Sequence, residues 1–265
     1  MFAGRNTGEI VLICILTFFI VDILLIIILL CVKFFCTNPR RRAVFRRIAE
    51  NLGVDFSSKS TLELESVMYA SGAWDCPDSF TFGLRNRKIK NVIHNMDISC
   101  GKMTVFDYHG LRNNRRYSEP SFFPFVCTCA FVSLPAGVDF PYCLLTPADW
   151  TSRLSYKLFG ETEPGLENYP EFAQKYNLSF PRYEDDNDEL YEADYDKRLQ
   201  MAEKMFTPAV IEAIGEKKNI TIYFNKRWIV YCIGSGATPV KNEDLESFIA
   251  DARNIVQNLY SAIKN

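Results

Sequence analysis

Val11-Leu-Ile-Cys-Ile-Leu-Thr-Phe-Phe-Ile-Val-Asp-Ile-Leu-Leu-Ile-Ile-Ile-Leu-Leu-Cys-Val32 is the stretch on which the rest of the chain depends. Eighteen of its 22 residues are Leu, Ile, Val or Phe, and Asp22 is its single ionisable side chain. As a helix rising about 1.5 Å per residue it reaches roughly 33 Å, against about 30 Å for a bilayer's hydrocarbon core. A carboxylate at mid-span costs about 3 kcal/mol, while each large aliphatic returns about 0.3 to 0.6 kcal/mol. The spacing therefore predicts a transmembrane helix over 10–35, preceded by a short extracytoplasmic lead over 1–9.

The flanking charge sets the expected orientation. Residues 1–50 carry seven Lys or Arg against three acids, which leaves the rest of the chain at −6 for an overall −2. Six of those seven, Lys33, Arg40, Arg41, Arg42, Arg46 and Arg47, follow the hydrophobic run, so the positive-inside rule puts the C-terminal domain in the cytoplasm. A secretory signal would show a basic front, a shorter apolar core and a small-residue cleavage site, and this segment has none of these.

Residues 36–53 read as a second, basic juxtamembrane helix. Asn38 suits its cap, Pro39 its first position and Gly53 its stop, with Val44, Phe45, Ile48 and Leu52 on one face. Arg40, Arg41, Arg42, Arg46 and Arg47 are the candidates for contact with anionic lipid head groups, at about 1 kcal/mol each. The expected partners are the lipid bilayer and a second transmembrane protein. Nucleic acid is not expected, because the domain that follows is acidic.

Residues 54–265 are expected to fold as one cytoplasmic α+β domain. With 48% hydrophobic residues, 21 Phe and 13 Tyr, the chain has ample core-forming material. Thr61 caps a short helix to Ala70. Strand-like runs at Ile89–His94, Met103–Tyr108, Phe122–Val132 and Phe140–Leu145 suggest an antiparallel meander, with an exposed connection near 110–120. Thr146-Pro147 resembles another helix start. Glu184–Asp196, with eight acids in 13 residues, reads as a solvated loop, and the glycine an EF-hand needs at its sixth position is missing. Thr207-Pro208 opens a helix that stops near Gly215. A hairpin turns at Asn225-Lys-Arg227, and Leu245, Phe248, Ile249, Ala252, Val256, Leu259 and Ile263 trace the stripe of a closing helix. The fold class is α+β: an N-terminal transmembrane helix, then an antiparallel-sheet domain with a helical insertion and a C-terminal packing helix. The order of elements resembles a pleckstrin-homology-like sheet.

Little points to chemistry. Nucleophilic catalysis wants a Ser or Cys beside a base, and the chain holds only His94 and His109. GxSxG, HExxH, GxxxxGK[ST] and GxGxxG are all absent from the sequence. The nine cysteines form no CxxC, and Cys127 and Cys129 fall on one strand face as small core residues. No metal or cofactor is expected, and no catalytic residue is assigned. The most site-like cluster is Asp107-Tyr-His109-Gly at a strand end, where Asp107 and His109 are ligand-site candidates. They are also the only candidate site for a membrane-tethered hydrolase. Asp22 is the candidate for helix association, as in an accessory subunit of a membrane transport or energy-coupling complex.

Asn91-Val-Ile-His-Asn95 followed by Met103–Tyr108, Leu134-Pro135, Phe206-Thr-Pro208 and the Tyr223, Trp228 and Tyr231 hairpin resemble a scattered family of bacterial membrane-anchored proteins of unknown function. The likeness spans about residues 85–260. It implies a fold shared with other membrane-tethered domains and no particular activity. The reading is therefore a non-enzymatic single-pass protein with a cytoplasmic binding or scaffold domain.

Overall fold

The structure, a computed structural model, describes residues 7–70, 85–114, 121–148, 166–180, 188–215, 217, 219–233 and 239–264. Two compact units divide it, Met1–Val44 and Phe45–Asn265.

A single helix, α1, runs Thr7–Leu52 with Pro39 inside it. Two helices were expected, with Pro39 starting the second. Proline at an interior position forfeits one backbone bond and costs about 3 kcal/mol, yet the helix continues. Beyond it Phe45, Ile48 and Ala49 are almost completely buried, which fixes the last turns. Leu52, expected on that same face, is 42% exposed, and Val44 is only half-buried. Side chains of the hydrophobic run are described over 15–23 only, where all seven large apolar residues are 49 to 68% exposed. Among the described residues, no helix is long and apolar enough to cross a membrane.

The second unit is an α+β fold built on one eight-stranded sheet, antiparallel at every pairing. Its strands are β1 (Phe56–Lys59), β2 (Arg85–Ile98), β3 (Gly101–Asn114), β4 (Ser121–Ser133), β5 (Phe140–Pro147), β6 (Tyr176–Ser179), β7 (Ile220–Lys226) and β8 (Trp228–Ile233). In space they run β1-β2-β3-β4-β8-β7-β5-β6. The expected four-strand meander thus holds from β2 to β4 and then breaks, because the β7–β8 hairpin inserts between β4 and β5. Three strand spacings of about 4.8 Å separate β4 from β5, roughly 14 Å, and the six residues 134–139 can reach about 20 Å. That link passes the hairpin tip, where Leu134 N–H donates to the Arg227 carbonyl at 2.9 Å and Phe140 pairs with Lys226.

Two further expectations give way to strand pairing. Residues 110–114, expected in an exposed connection, extend β3 and pair with β4 out to Asn114 opposite Ser121. Thr146-Pro147, expected to open a helix, ends β5 opposite Asn177 and Tyr176 of β6. Proline fits there because β7 pairs with β5 only through Leu145, so no ladder bond needs the missing N–H.

The helices are α2 (Leu62–Ala70), a short α3 (Pro170–Ala173), α4 (Asp188–Met205), α5 (Pro208–Gly215) and α6 (Leu245–Lys264), the last preceded by a 3-10 turn at Asn242–Asp244. The acidic run from Asp188 onward is helical, contrary to the loop expected. Carboxylates gather at the amino end of α4, where the helix dipole favours them. There Asp194 bonds Arg198, which is almost fully buried and lies 5.7 Å from the Tyr142 ring. Helix α6 buries Leu245, Phe248, Ile249, Ala252, Ile255, Val256 and Leu259, and Phe248 meets Tyr231 with ring centres 5.3 Å apart. Six of those seven belong to the expected stripe; Ile263, at its far end, is half-buried.

Alternation along the strands splits the core in two. Tyr231 faces α6, whereas Cys232 and Val230 face the opposite side, with Ile89, Val92, Phe106, Tyr108, Cys127, Cys129, Phe131 and Leu64 of α2. Residues 71–84 and 149–165, read from the sequence as loop and helix, lie outside the described residues.

Candidate functional site

Strand β2 is irregular, and that irregularity builds the site. Between Lys90 opposite Asp107 and Ile93 opposite Val105, β2 uses one residue more than β3 does, and the same happens between Ile93 and Met96. These are β-bulges, with Asn91 at φ 51° and Asn95 at φ 46° in the left-handed region that asparagine tolerates better than most residues. Each bulge flips the face of everything beyond it. In a regular strand His94 would face away from Ile89; the bulge at Asn91 brings Ile89, Val92 and His94 to one side.

Beside them lies β1, with Ser57 opposite Val92 and the Asp55 carbonyl accepting from His94 N–H at 2.9 Å. Ser57 Oγ and His94 Nε2 are 2.8 Å apart. Ser57 Oγ also donates its single proton to the Lys59 carbonyl. With that proton committed, His94 Nε2–H is the donor to Ser57, and Nδ1 is the ring's free acceptor. Ser57 thus orients the imidazole rather than being activated by it. Burial lowers the His94 pKa below the usual histidine range, against the pull of Asp55 and Glu63.

His94 forms part of the wall of a cavity of about 400 Å³ under the start of α2. Thr61 caps that helix, its Oγ1 accepting from Leu64 N–H at 3.2 Å. Leu64, Phe131 and Leu134 supply an apolar floor; Thr61, Glu63, Asn95, Lys102, Thr104 and Ser133 supply polar groups. At the far wall Gly101, φ +150°, lies so close to Ser133 that an added Cβ would sit 2.3 Å from its carbonyl oxygen. Only glycine lets the β2–β3 turn approach the end of β4 and close the cavity there.

Asp107 and His109, the expected site, face the other side of the sheet. Asp107 is 2% exposed, and its two oxygens accept from Asn91 Nδ2 at 2.9 Å and Thr128 Oγ1 at 3.0 Å. Thr128 Oγ1 in turn accepts from Val240 N–H at 3.1 Å. This is a closed structural network that holds the Asn91 bulge and ties 239–241 to the sheet. His109 is half-buried, paired across β3 with Lys88 and Val126. The structure puts Asp107 and His109 on one face and does not join either of them to the cavity.

The other named residues fall as follows. Asp22 is exposed on α1 amid exposed Ile, Val and Phe. Arg40, Arg42, Arg46 and Arg47 are exposed, while Arg41 is buried, so the set offered to head groups shrinks to four. Arg46 also lies 5.6 Å from the Phe56 ring.

Cys127, Cys129 and Cys232 cluster on the sheet face that the cavity opens onto, all at most 1% exposed. Thiol bonds from Cys129 and Cys232 hold Cys127 below the ordinary thiol range, while burial pushes Cys129 and Cys232 up. Sealed from solvent, they act as core residues. Among the described residues no group of His, Cys, Asp and Glu is arranged to hold a metal ion.

Sequence reading missed the Ser57–His94 pair and its cavity. A signal was present: Asn91 and Asn95, four apart within a strand-like run, mark two left-handed positions and hence two changes of face. No protein-family model matches the chain, and neither a curated protein nor a solved structure does.

Proposed function

We propose that this chain is a single-pass, membrane-tethered binding module without enzymatic activity, its α+β domain on the cytoplasmic side. One observation carries the tether: over 15–23 of α1 every large apolar side chain is about half exposed or more, on all sides of the helix. Water gives such a helix nothing, whereas a hydrocarbon phase satisfies both its side chains and its internally bonded backbone. The run to either side is equally apolar in sequence. Four exposed arginines after it support the orientation. A cavity whose histidine is oriented yet, among the described residues, faces no activated nucleophile supports binding rather than turnover.

Alkaline carbonate extraction tests the tether. The full chain is expected in the membrane pellet, and a chain lacking residues 1–36 in the supernatant; release of the full chain by carbonate overturns the reading. Labelling an engineered cysteine at exposed Pro135 then reports sidedness, and reactivity from outside alone would reverse the orientation.

A second reading rests on Asp22, exposed within that apolar surface. A mid-membrane carboxylate, at about 3 kcal/mol, favours a polar partner on another helix. If the chain is an accessory subunit of a membrane transport or energy-coupling complex, Asp22→Leu abolishes co-purification of its partner; an unchanged complex removes this reading.

A further inference from the structure

Taking the domain to be a binding module, we propose that the cavity beneath α2 holds a small zwitterion, an α-amino acid with an apolar side chain. About 400 Å³ lies near the lower end of the roughly 300 to 1,000 Å³ usual for ligand sites. That suits a single amino acid and is too small for an extended peptide. The floor selects the ligand's body. Leu64, Phe131 and Leu134 line it and give an aromatic or branched side chain an apolar surface to pack against.

The walls select its head. Glu63, in the first turn of α2, and Lys102, at the start of β3, present opposite charges to one space from two different elements. Among the described residues neither is engaged in an ion pair. A ligand bearing only a carboxylate would answer Lys102 and meet Glu63 unfavourably; one bearing only an amine would do the reverse. A group with both charges on one carbon satisfies both walls. His94, its ring held by Ser57, lines the same space and adds a polar group without a competing positive charge. Phosphate-bearing ligands fit poorly, since Lys102 is the single cationic side chain in the lining and Glu63 opposes them.

The test uses the full chain in detergent micelles and fluorine NMR of three probes: para-fluoro-phenylalanine, para-fluoro-phenethylamine and para-fluoro-hydrocinnamate. The amino acid is expected to bind, and loss of either charge to weaken binding by about tenfold or more. Glu63→Gln and Lys102→Met, at exposed positions that leave the fold intact, should each bring a comparable loss for the amino acid. Glu63→Gln should also narrow the gap between the amino acid and hydrocinnamate. The proposal is overturned if the amino acid does not bind at about 10 mM, if hydrocinnamate or phenethylamine binds as tightly, or if neither substitution alters the amino acid's affinity. Carbonate extraction of the same variants reads the tether separately, so an empty cavity on a membrane-bound chain counts against this inference alone.

Discussion

Two polar clusters flank the bulge at Asn91, and they are built to opposite ends. On the α6 side, Asp107 has both oxygens answered by Asn91 and Thr128 and is shut away from water. On the α2 side, His94 has one nitrogen answered by Ser57 and borders a cavity. Two residues of β2, Val92 and Ile93, separate Asn91 of the first from His94 of the second. A polar group closed on all sides specifies a backbone shape; one left open on a side can meet a ligand. Asp107 is therefore a positioning residue: through Asn91 it holds the bulge that turns His94 toward the cavity.

Removing the closed cluster should cost most. Asp107→Ala leaves Asn91 Nδ2 and Thr128 Oγ1 without their acceptor in a dry site, and about 3 kcal/mol of domain stability should be lost in denaturant unfolding. The same substitution should also disturb the His94 imidazole resonances by NMR, and unchanged resonances would show that the bulge stands without its clamp. Gly101→Ala comes next. Its Cβ would meet the Ser133 carbonyl at 2.3 Å from a left-handed backbone, for a loss of about 2 kcal/mol. An unaltered melting temperature would mean that the turn can withdraw from β4.

Opening the other cluster should cost little. Ser57→Ala removes a part-buried hydrogen bond and should change stability by about 0.5 to 1 kcal/mol, while freeing the ring to flip; a loss equal to that of Asp107→Ala would erase the contrast. The smallest effect is a matter of pH. The folded state holds the His94 pKa below 6.5, so near that pH the unfolded chain binds more protons. Stability from this residue is full above about 6.5 and falls as pH drops toward the lowered folded value. His94→Gln should flatten the melting profile between about pH 7 and 5, and an identical slope in the variant would assign that pH dependence to other groups.

Much of the second unit was legible locally. Thr61 as cap, Pro208 at a helix start, the Lys226-Arg227 turn and the stripe of α6 each follow from neighbours within a few residues. Caps, turns and amphipathic periods are short-range physics. The acidic run was misread because charge density suggests solvation, whereas α4 makes those carboxylates favourable at its amino end and draws Arg198 beside Asp194. Asp107 and His109 drew notice as polar residues at a strand end. The fold spends Asp107 on a backbone constraint and gives the cavity to His94, whose strand placement was read but whose face was not. Two asparagines decide that face, and each counts for more than the β-propensity of its neighbours.

From its sequence alone this protein is a long apolar helix followed by basic residues and an antiparallel α+β domain, because hydrophobic run length, charge asymmetry and strand or helix periods are written in adjacent residues. Strand order belongs to the tertiary structure. Inserting β7 and β8 between β4 and β5 depends on a link just long enough to pass the hairpin tip, and on partners about 80 to 100 residues apart in the chain. So does the cavity. Glu63, His94 and Lys102 come from three elements, and only the folded domain, with the bulges of β2, brings them to one space.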